Sequence, residues 1–266
     1  MATVSFANPP PAPKPEPETL RDVAEVSAAI VQAAPQPLAV AAPTPRGPIV
    51  PDGVVGEVSM SDIKLPRINL VQKVGTLADS FQPGQILFEK HAILADTKTS
   101  VDLTPLRIRK QYQRKVAWGE GGSGEAPEVY DTAAQVREAG GSLQFGDENY
   151  FQEIAHIEFA IKLPTEFLSQ ELKETAEIID LFPYTHDNHP YAIAIWTVAS
   201  SAYTALAKPI FTHAASLLRN GLYTGHYNVS TEVKKSAKNS WYAPKAVFAG
   251  KHTPEAAEFF KSIAGL

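Results

Sequence analysis

A basic stretch that also contains aromatic residues, LRIRKQYQRKVAW at residues 106–118, has the side chains best suited to binding a charged ligand. Five positive side chains fall within nine residues of it, although the whole chain has a formal net charge of −5. Its apolar pattern predicts a strand, so Arg107, Arg109 and Lys115 share one face. Positive charge on a strand can follow phosphates while flat rings stack on bases. A sheet edge protected from aggregation by its charges is the alternative.

A second basic and aromatic cluster lies in residues 225–248, GHYNVSTEVKKSAKNSWYAPKAVF. This pattern predicts two strands joined by a turn that carries lysines, with Trp241 and Tyr242 after the turn. The alternative is a soluble hairpin whose lysines prevent edge pairing and whose Trp241 and Tyr242 belong to the core. Two clusters of the same chemistry favour binding, and a closed barrel would bring them to one groove.

The composition excludes several classes of function. A pI of about 5.8 argues against a protein that coats duplex DNA through bulk positive charge. The chain has no cysteine, which excludes disulfides, thiolate zinc sites and cysteine nucleophiles. No apolar run reaches the roughly 20 residues of a membrane span. The start of the chain lacks the pattern of a secretory signal, so a cytoplasmic protein is expected.

Candidate metal and catalytic residues are weaker. His186, Asp187 and His189 could hold a metal together with Asp180 or His156, but their segment reads better as a polar loop. A metal-dependent nucleic-acid enzyme built on these residues is therefore a rival interpretation. Ser200 and its neighbour Ser201 lack a Gly-x-Ser-x-Gly motif and are expected to cap the helix that follows. We predict no catalytic residue, no metal and no cofactor, and hence no enzyme.

The proline distribution divides the chain in two. Twelve of its 22 prolines precede Gly53, so residues 1–55 are expected to form a disordered tail rich in proline and alanine. Residues 56–266 are expected to form one folded domain. Its pattern predicts a turn at Pro83 and Gly84 before a strand through Leu87 and Ile93, and then a helix capped by Asp131 or Thr132. A strand at 156–163, a surface helix at 165–179 and a strand at 191–201 follow. The chain then has a kinked helix or two consecutive helices at Pro209, and a final helix capped by Thr253.

The order of these segments resembles that of phage-type single-stranded DNA-binding proteins with an OB fold. The resemblance covers about residues 63–248. Its matching segments are IKLPRINLVQKVG, PGQILF, IRKQYQRKVAW, AIWTVASSAYTALAKPI and YNVSTEVKKSAKNSWYAP.

This resemblance implies a mainly β protein, an OB-like β-barrel with α-helical insertions, whose groove takes single strands with little sequence preference. It implies two sets of nucleic-acid-binding residues. The first set is Arg107, Arg109, Lys110, Tyr112, Arg114, Lys115 and Trp118. The second set is Tyr227, Lys234, Lys235, Lys238, Trp241 and Tyr242.

The expected function is to bind and protect single-stranded DNA during replication or recombination, in the host bacterium's cytoplasm if a phage encodes the chain. The chain ends KSIAGL instead of in an acidic tail. Replication or recombination proteins would therefore be recruited through the N-terminal tail. Self-association into a homo-oligomer is left open. The alternative is a phage structural, assembly or protein-interaction protein that has no affinity for nucleic acid.

Overall fold

A computed structural model describes residues 65–90, 92–115, 127–164, 182–237 and 239–265. The chain divides into two units, Met1–Thr44 and Pro45–Leu266, and every described residue belongs to the second unit. The predicted tail at 1–55 and the predicted helix at 165–179 therefore lie outside the described residues.

Antiparallel strands form two sheets, which confirms the mainly β class. The larger sheet has the strand order β10-β9-β4-β6-β8-β7, with β5 paired to β4. The smaller sheet contains β1 (Ile68–Leu70), β2 (Ile86–Phe88) and β3 (Ala92–Ala95). The larger sheet contains β4 (Val101–Arg114), β5 (Val129–Tyr130), β6 (Phe151–Lys162), β7 (Tyr184–His186), β8 (His189–Ala199), β9 (Gly225–Lys235) and β10 (Ser240–Lys251).

The larger sheet is open between its two ends. Among the described strands, β7 and β10 end the strand order without pairing to each other. β9 pairs with β4 only at residues 101–103, and β5 pairs with it at 112–113. The closed barrel expected from the sequence is therefore not found among these strands.

Besides two short 3₁₀ turns, the described residues contain three helices that accompany the sheets. They are α1 (Ala133–Glu138), α2 at residues 200–216 and α3 (Pro254–Ile263). The side chains of Thr132 and Thr253 accept hydrogen bonds from the backbone N–H groups of Gln135 and Ala256, which confirms both predicted caps. None of the described helices has the length and apolar character needed to cross a membrane.

The α2 helix changes its winding in the middle. Ser200–Ala202 and Lys208–Ser216 are α-helical, whereas Tyr203–Ala207 forms a π-helical turn. The irregularity predicted at Pro209 is thus present just before the proline. Pro209 lies in the first turn of the last α-helical segment, a position that tolerates a residue without a backbone N–H.

Two local predictions were wrong. Ser200 does not cap α2, because its hydroxyl donates a hydrogen bond to Gln152 of β6 and the helix has no side-chain cap. The single strand expected through Leu87 and Ile93 is two strands, β2 and β3. The chain reverses between them at Glu89, whose φ is +53°.

Helices pack on both faces of the larger sheet. On one face, which we call the α2 face, Tyr203, Leu206 and Ile210 join the main core with inward residues of β6 and β8. On the opposite face, the α3 face, Phe260 packs on Leu106 and Ala160. Because successive strand residues point to opposite faces, this packing assigns a face to the side chains of the central strands.

Candidate nucleic-acid interface

Alternation along β4 places Arg107 and Arg109 together on the α3 face. The register between β4 and β6 shifts between Pro105 and Arg107, which leaves Leu106 packed beneath α3 and sets Arg107 opposite Glu158. The guanidinium of Arg107 donates a hydrogen bond of 2.5 Å to the carbonyl oxygen of Ala264 at the end of α3. Arg107 therefore lies at the end of α3, next to the part of the sheet that α3 leaves uncovered.

Cross-strand pairing brings polar side chains of β6 and β8 beside these arginines. Arg109 lies opposite His156, which in turn lies opposite Thr197. The Nδ1 atom of His156 is 2.9 Å from the hydroxyl of Thr197. In the next row of cross-strand pairs, Glu158 of β6 lies between Arg107 of β4 and Ile195 of β8. The Arg107 Nε atom is 4.0 Å from the Glu158 carboxylate.

Arg67 extends this surface beyond β8. The backbone N–H of Ile195 donates to the carbonyl of Pro66 at 2.8 Å, and Arg67 bridges to Ile195 in parallel orientation. The segment before β1 thus continues the sheet and adds a third arginine from a distant part of the sequence.

The ionisable groups at the centre of this surface respond to burial and to the arginines. Burial, followed by the positive charges of Arg109 and Arg67, lowers the pKa of His156 below its usual value. Burial raises the pKa of Glu158, and the charge of Arg107 opposes that rise. The pKa of His156 is therefore lowered mainly by burial, and the two arginines lower it further.

A shallow open groove of about 710 Å³ crosses this part of the sheet. Arg107 and Arg109 line it with polar neighbours from β4 and β6, and apolar side chains complete its lining. We call it the arginine groove. Its lining residues are Leu106, Arg107, Ile108, Arg109, Gln111, His156, Glu158, Ile195 and Leu222.

Two members of the first predicted set lie on the opposite, α2 face. Lys110 forms an ion pair with Glu153, and its Nζ atom is 5.0 Å from the centre of the Tyr112 ring. Burial alone would lower the pKa of Lys110, but hydrogen bonds with Glu153 and Tyr112 outweigh it and raise the pKa. The Tyr112 side chain packs with Val136 and Phe151, and the residue is only 9% exposed. It therefore offers no free ring face for stacking.

The remaining members of the first set lie at the end of β4. The Arg114 guanidinium is 3.8 Å from the Glu128 carboxylate and donates to the side-chain oxygen of Asn149. The Nζ atom of Lys115 lies 5.5 Å from the ring centre of Phe145. Trp118 is outside the described residues.

Tyr227 of the second predicted set is a core residue, which corrects its assignment to the binding surface. It is 0% exposed, and its hydroxyl is 3.0 Å from Nδ1 of His213. Burial raises the pKa of Tyr227 to about 12. Its alternation with polar residues reflects a strand with one buried face, so it cannot stack on a base in this conformation.

The other members of the second set lie around the hairpin of β9 and β10. Trp241 donates a hydrogen bond of 2.9 Å from Nε1 to the hydroxyl of Ser201, and the Tyr242 ring lies against Gly84. Lys234 forms an ion pair with Glu232, whereas Lys235 is exposed. Lys238 is outside the described residues.

The two predicted sets do not line one groove. Arg107 and Arg109 line the arginine groove, whereas Lys234 lines a separate depression of about 450 Å³ with Ser201 and Lys245. The expectation of a shared groove depended on barrel closure, and the described strands leave the sheet open.

The histidines weighed as metal ligands lie near α3. The His186 ring stacks on the Phe259 ring, with 4.6 Å between ring centres. His189 begins β8, and its backbone pairs with that of His186. In the described ranges, no three His, Asp or Glu side chains are grouped so that they could hold a metal ion.

Several residues of the candidate surface were not predicted. Gln111 continues the alternation of Arg107 and Arg109, so the strand pattern alone could have identified it. Arg67 could not be identified, because only the pairing beside Ile195 brings it to the surface. Comparisons with protein-family models, curated proteins and solved structures find no match to this chain.

Proposed function

We propose that this protein binds single-stranded DNA across the arginine groove and protects it during replication or recombination. The observation that carries the proposal is the convergence of Arg67, Arg107 and Arg109 on one open surface of the sheet. These three cations come from two segments separated by about forty residues of sequence. Guanidinium groups bind phosphate oxygens through several N–H donors, so they suit a phosphodiester backbone.

The lining of the arginine groove favours a single strand over a duplex. Ile195 and Leu222, both partly exposed, add apolar surface beside the arginines. Unpaired bases expose flat faces that can contact such a surface, while their phosphates reach the arginines. A duplex keeps its bases stacked inside and would use the charges alone. Binding through backbone charge and apolar contact also implies little sequence preference.

The proposal includes an OB-like arrangement of the strands, a cytoplasmic location and a tail that recruits replication or recombination proteins. The antiparallel path β10-β9-β4-β6-β8-β7, whose end strands do not pair with each other, supports a partly open sheet able to carry a single strand on one face. OB folds bind about 4–16 nucleotides each, depending on the protein.

The role of the arginines is tested by the salt dependence of binding. For single strands, the logarithm of affinity falls with the logarithm of salt concentration with a slope of about −0.7 per phosphate contact. We expect the double variant Arg67→Ala and Arg109→Ala to weaken binding and to flatten this slope by about 1.4, since two contacts are lost.

Lys98→Ala is the matched control for this experiment. Lys98 is an exposed cation in the turn between β3 and β4, outside the arginine groove. It should leave the slope nearly unchanged. Equal slopes for the double variant and the wild-type protein would remove the arginine groove as the binding surface.

A further inference from the structure

A further depression, distinct from the one beside Lys234, lies at the start of α2, on the opposite face of the sheet from the arginine groove. Its volume is about 450 Å³, within the range of small-molecule sites. We call it the α2 pocket. Its lining residues are Tyr112, Leu143, Tyr150, Phe151, Gln152, Glu153, Ser200, Tyr203 and Thr204. Four of these nine side chains are aromatic.

The backbone at the α2 pocket has two unusual features close together in the chain. Ser200 has a φ of +51°, a left-handed conformation that costs free energy for a residue with a Cβ atom. The π-helical turn Tyr203–Ala207 begins three residues later. Strained residues and π-turns both concentrate at functional sites. Together they place Ser200, Tyr203 and Thr204 around the pocket.

The pocket also contains hydrogen-bonding groups beside its aromatic rings. The Ser200 hydroxyl donates to the side-chain oxygen of Gln152 at 2.9 Å. The Gln152 amide keeps N–H donors, and the Ser200 oxygen keeps acceptor capacity. A mainly polar lining that combines amide and hydroxyl groups with aromatic edges matches a heterocycle that carries both donors and acceptors at its edge.

Phe145 projects at the rim of this pocket. It is 77% exposed, which is unusual for so large an apolar side chain, and its ring meets the Tyr150 ring edge-on with 5.6 Å between centres. The loop that carries it is closed by backbone hydrogen bonds, from Ser142 to Asn149 at 2.8 Å and from Phe151 to Ser142 at 2.7 Å. The loop backbone around Phe145 is therefore closed, and the Phe145 ring is largely open to solvent.

A cation stands beside the exposed ring. The Nζ atom of Lys115 lies 5.5 Å from the centre of Phe145. An aromatic ring held next to a lysine can stack on a base while the lysine contacts the neighbouring phosphate.

We propose that Phe145 and the α2 pocket form a binding site for one unstacked nucleobase, with Lys115 on the adjacent phosphate. The inference rests on the proposed function, because the base is part of the same single strand. Lys115 and Arg109 are six residues apart on alternate positions of one extended segment, about 20 Å at the usual rise per residue. A single strand can thus follow β4 from the arginine groove to Lys115, just past the end of β4, and pass around that end of the sheet to Phe145 and the α2 pocket.

The test compares an oligothymidine of 30 nucleotides with an abasic oligonucleotide of the same length, by fluorescence anisotropy. Phe145→Ala should weaken binding to oligothymidine about tenfold, as expected for one lost stacking contact. Binding to the abasic strand should change less than about twofold, because that strand has no base to stack. Val74→Ala is the control, since Val74 is an apolar side chain with 82% exposure outside this pocket.

Ser200→Gly provides a second variant that should remain folded, because glycine adopts a positive φ without strain. It removes the hydroxyl from the pocket and should weaken binding to oligothymidine but not to the abasic strand. Equal weakening of both ligands by Phe145→Ala, or no weakening of either, would overturn the base site. If the wild-type protein binds neither ligand, the proposed function itself fails. If the wild-type protein binds oligothymidine and only the Arg67→Ala and Arg109→Ala double variant weakens that binding, the base site alone is wrong.

Discussion

The guanidinium of Arg109 lies 2.7 Å from the carboxylate of Asp131, and the two side chains are 66% and 52% exposed. Gln111 donates to the same carboxylate oxygen at 2.8 Å. These hydrogen bonds, first from Gln111 and then from Arg109, lower the pKa of Asp131. Asp131 therefore stays charged and pairs with the guanidinium of Arg109. In the proposed function, its carboxylate would compete with a DNA phosphate for that guanidinium.

Asp131→Asn should increase the affinity for single-stranded DNA. The substitution keeps the size of the side chain but removes the negative charge beside Arg109. An exposed ion pair of this kind is weak, so we expect a gain of only about two- to fivefold. The dissociation constant for an oligothymidine at low salt measures it.

Glu258→Gln is the control for the Asp131 variant. Glu258 is an exposed carboxylate that pairs with Lys261 on α3, so its loss changes the net charge equally. An equal gain from both variants would show that only net charge matters and would contradict a specific competition at Arg109.

Tyr227→Phe should lower stability and leave DNA binding unchanged. The substitution removes the hydrogen bond to His213 from a fully buried position. A single buried hydrogen bond contributes about 0.5–1.5 kcal/mol to the free energy of unfolding. Urea unfolding measures the loss, and anisotropy at a temperature where the variant stays folded measures binding. A large loss of affinity in the folded variant would return Tyr227 to the binding surface.

The half-buried histidine His252 should make the protein less stable in acid. His252 contacts Thr104 through Nε2 at 2.8 Å and stacks on His226, which pairs with Asp102. Burial, followed by the charges of His226 and His186 against that of Asp102, lowers the pKa of His252 to about 4. An unfolded histidine has a pKa near 6.5, so between about pH 6.5 and 4 the unfolded chain binds the extra proton. Stability should therefore fall as the pH falls through this range.

His252→Gln isolates this contribution, because glutamine does not titrate and can still bond to Thr104. Urea unfolding at pH 7.5 and pH 5.0 should show a smaller loss of stability for the variant than for the wild-type protein. Equal losses would mean that other groups account for the pH dependence.

The strand pattern was sufficient to predict the basic face of β4 but not its surroundings. Alternation alone places Arg107 and Arg109 on one side, and the structure has them in one groove. The same alternation puts Lys110 and Tyr112 on the other side. Whether that side is solvent or core depends on α2, whose packing is a tertiary property.

Aromatic residues were the least predictable part of the site. Tyr112 and Tyr227 have the spacing of exposed strand residues beside charges, yet both are buried because other elements cover them. Phe145 has no periodic signal, since it lies in a loop between α1 and β6. Its exposure depends on the backbone closure between Ser142 and Asn149, which a linear pattern does not show.

Binding of a labelled oligothymidine of about 30 nucleotides, compared with a duplex of equal length at two salt concentrations, tests the central claim most directly. We expect tight binding of the single strand, a clear preference over the duplex, and weaker binding at the higher salt concentration. Absence of binding to the single strand at low salt and micromolar protein, or equal affinity for the duplex, would contradict a single-stranded DNA-binding function.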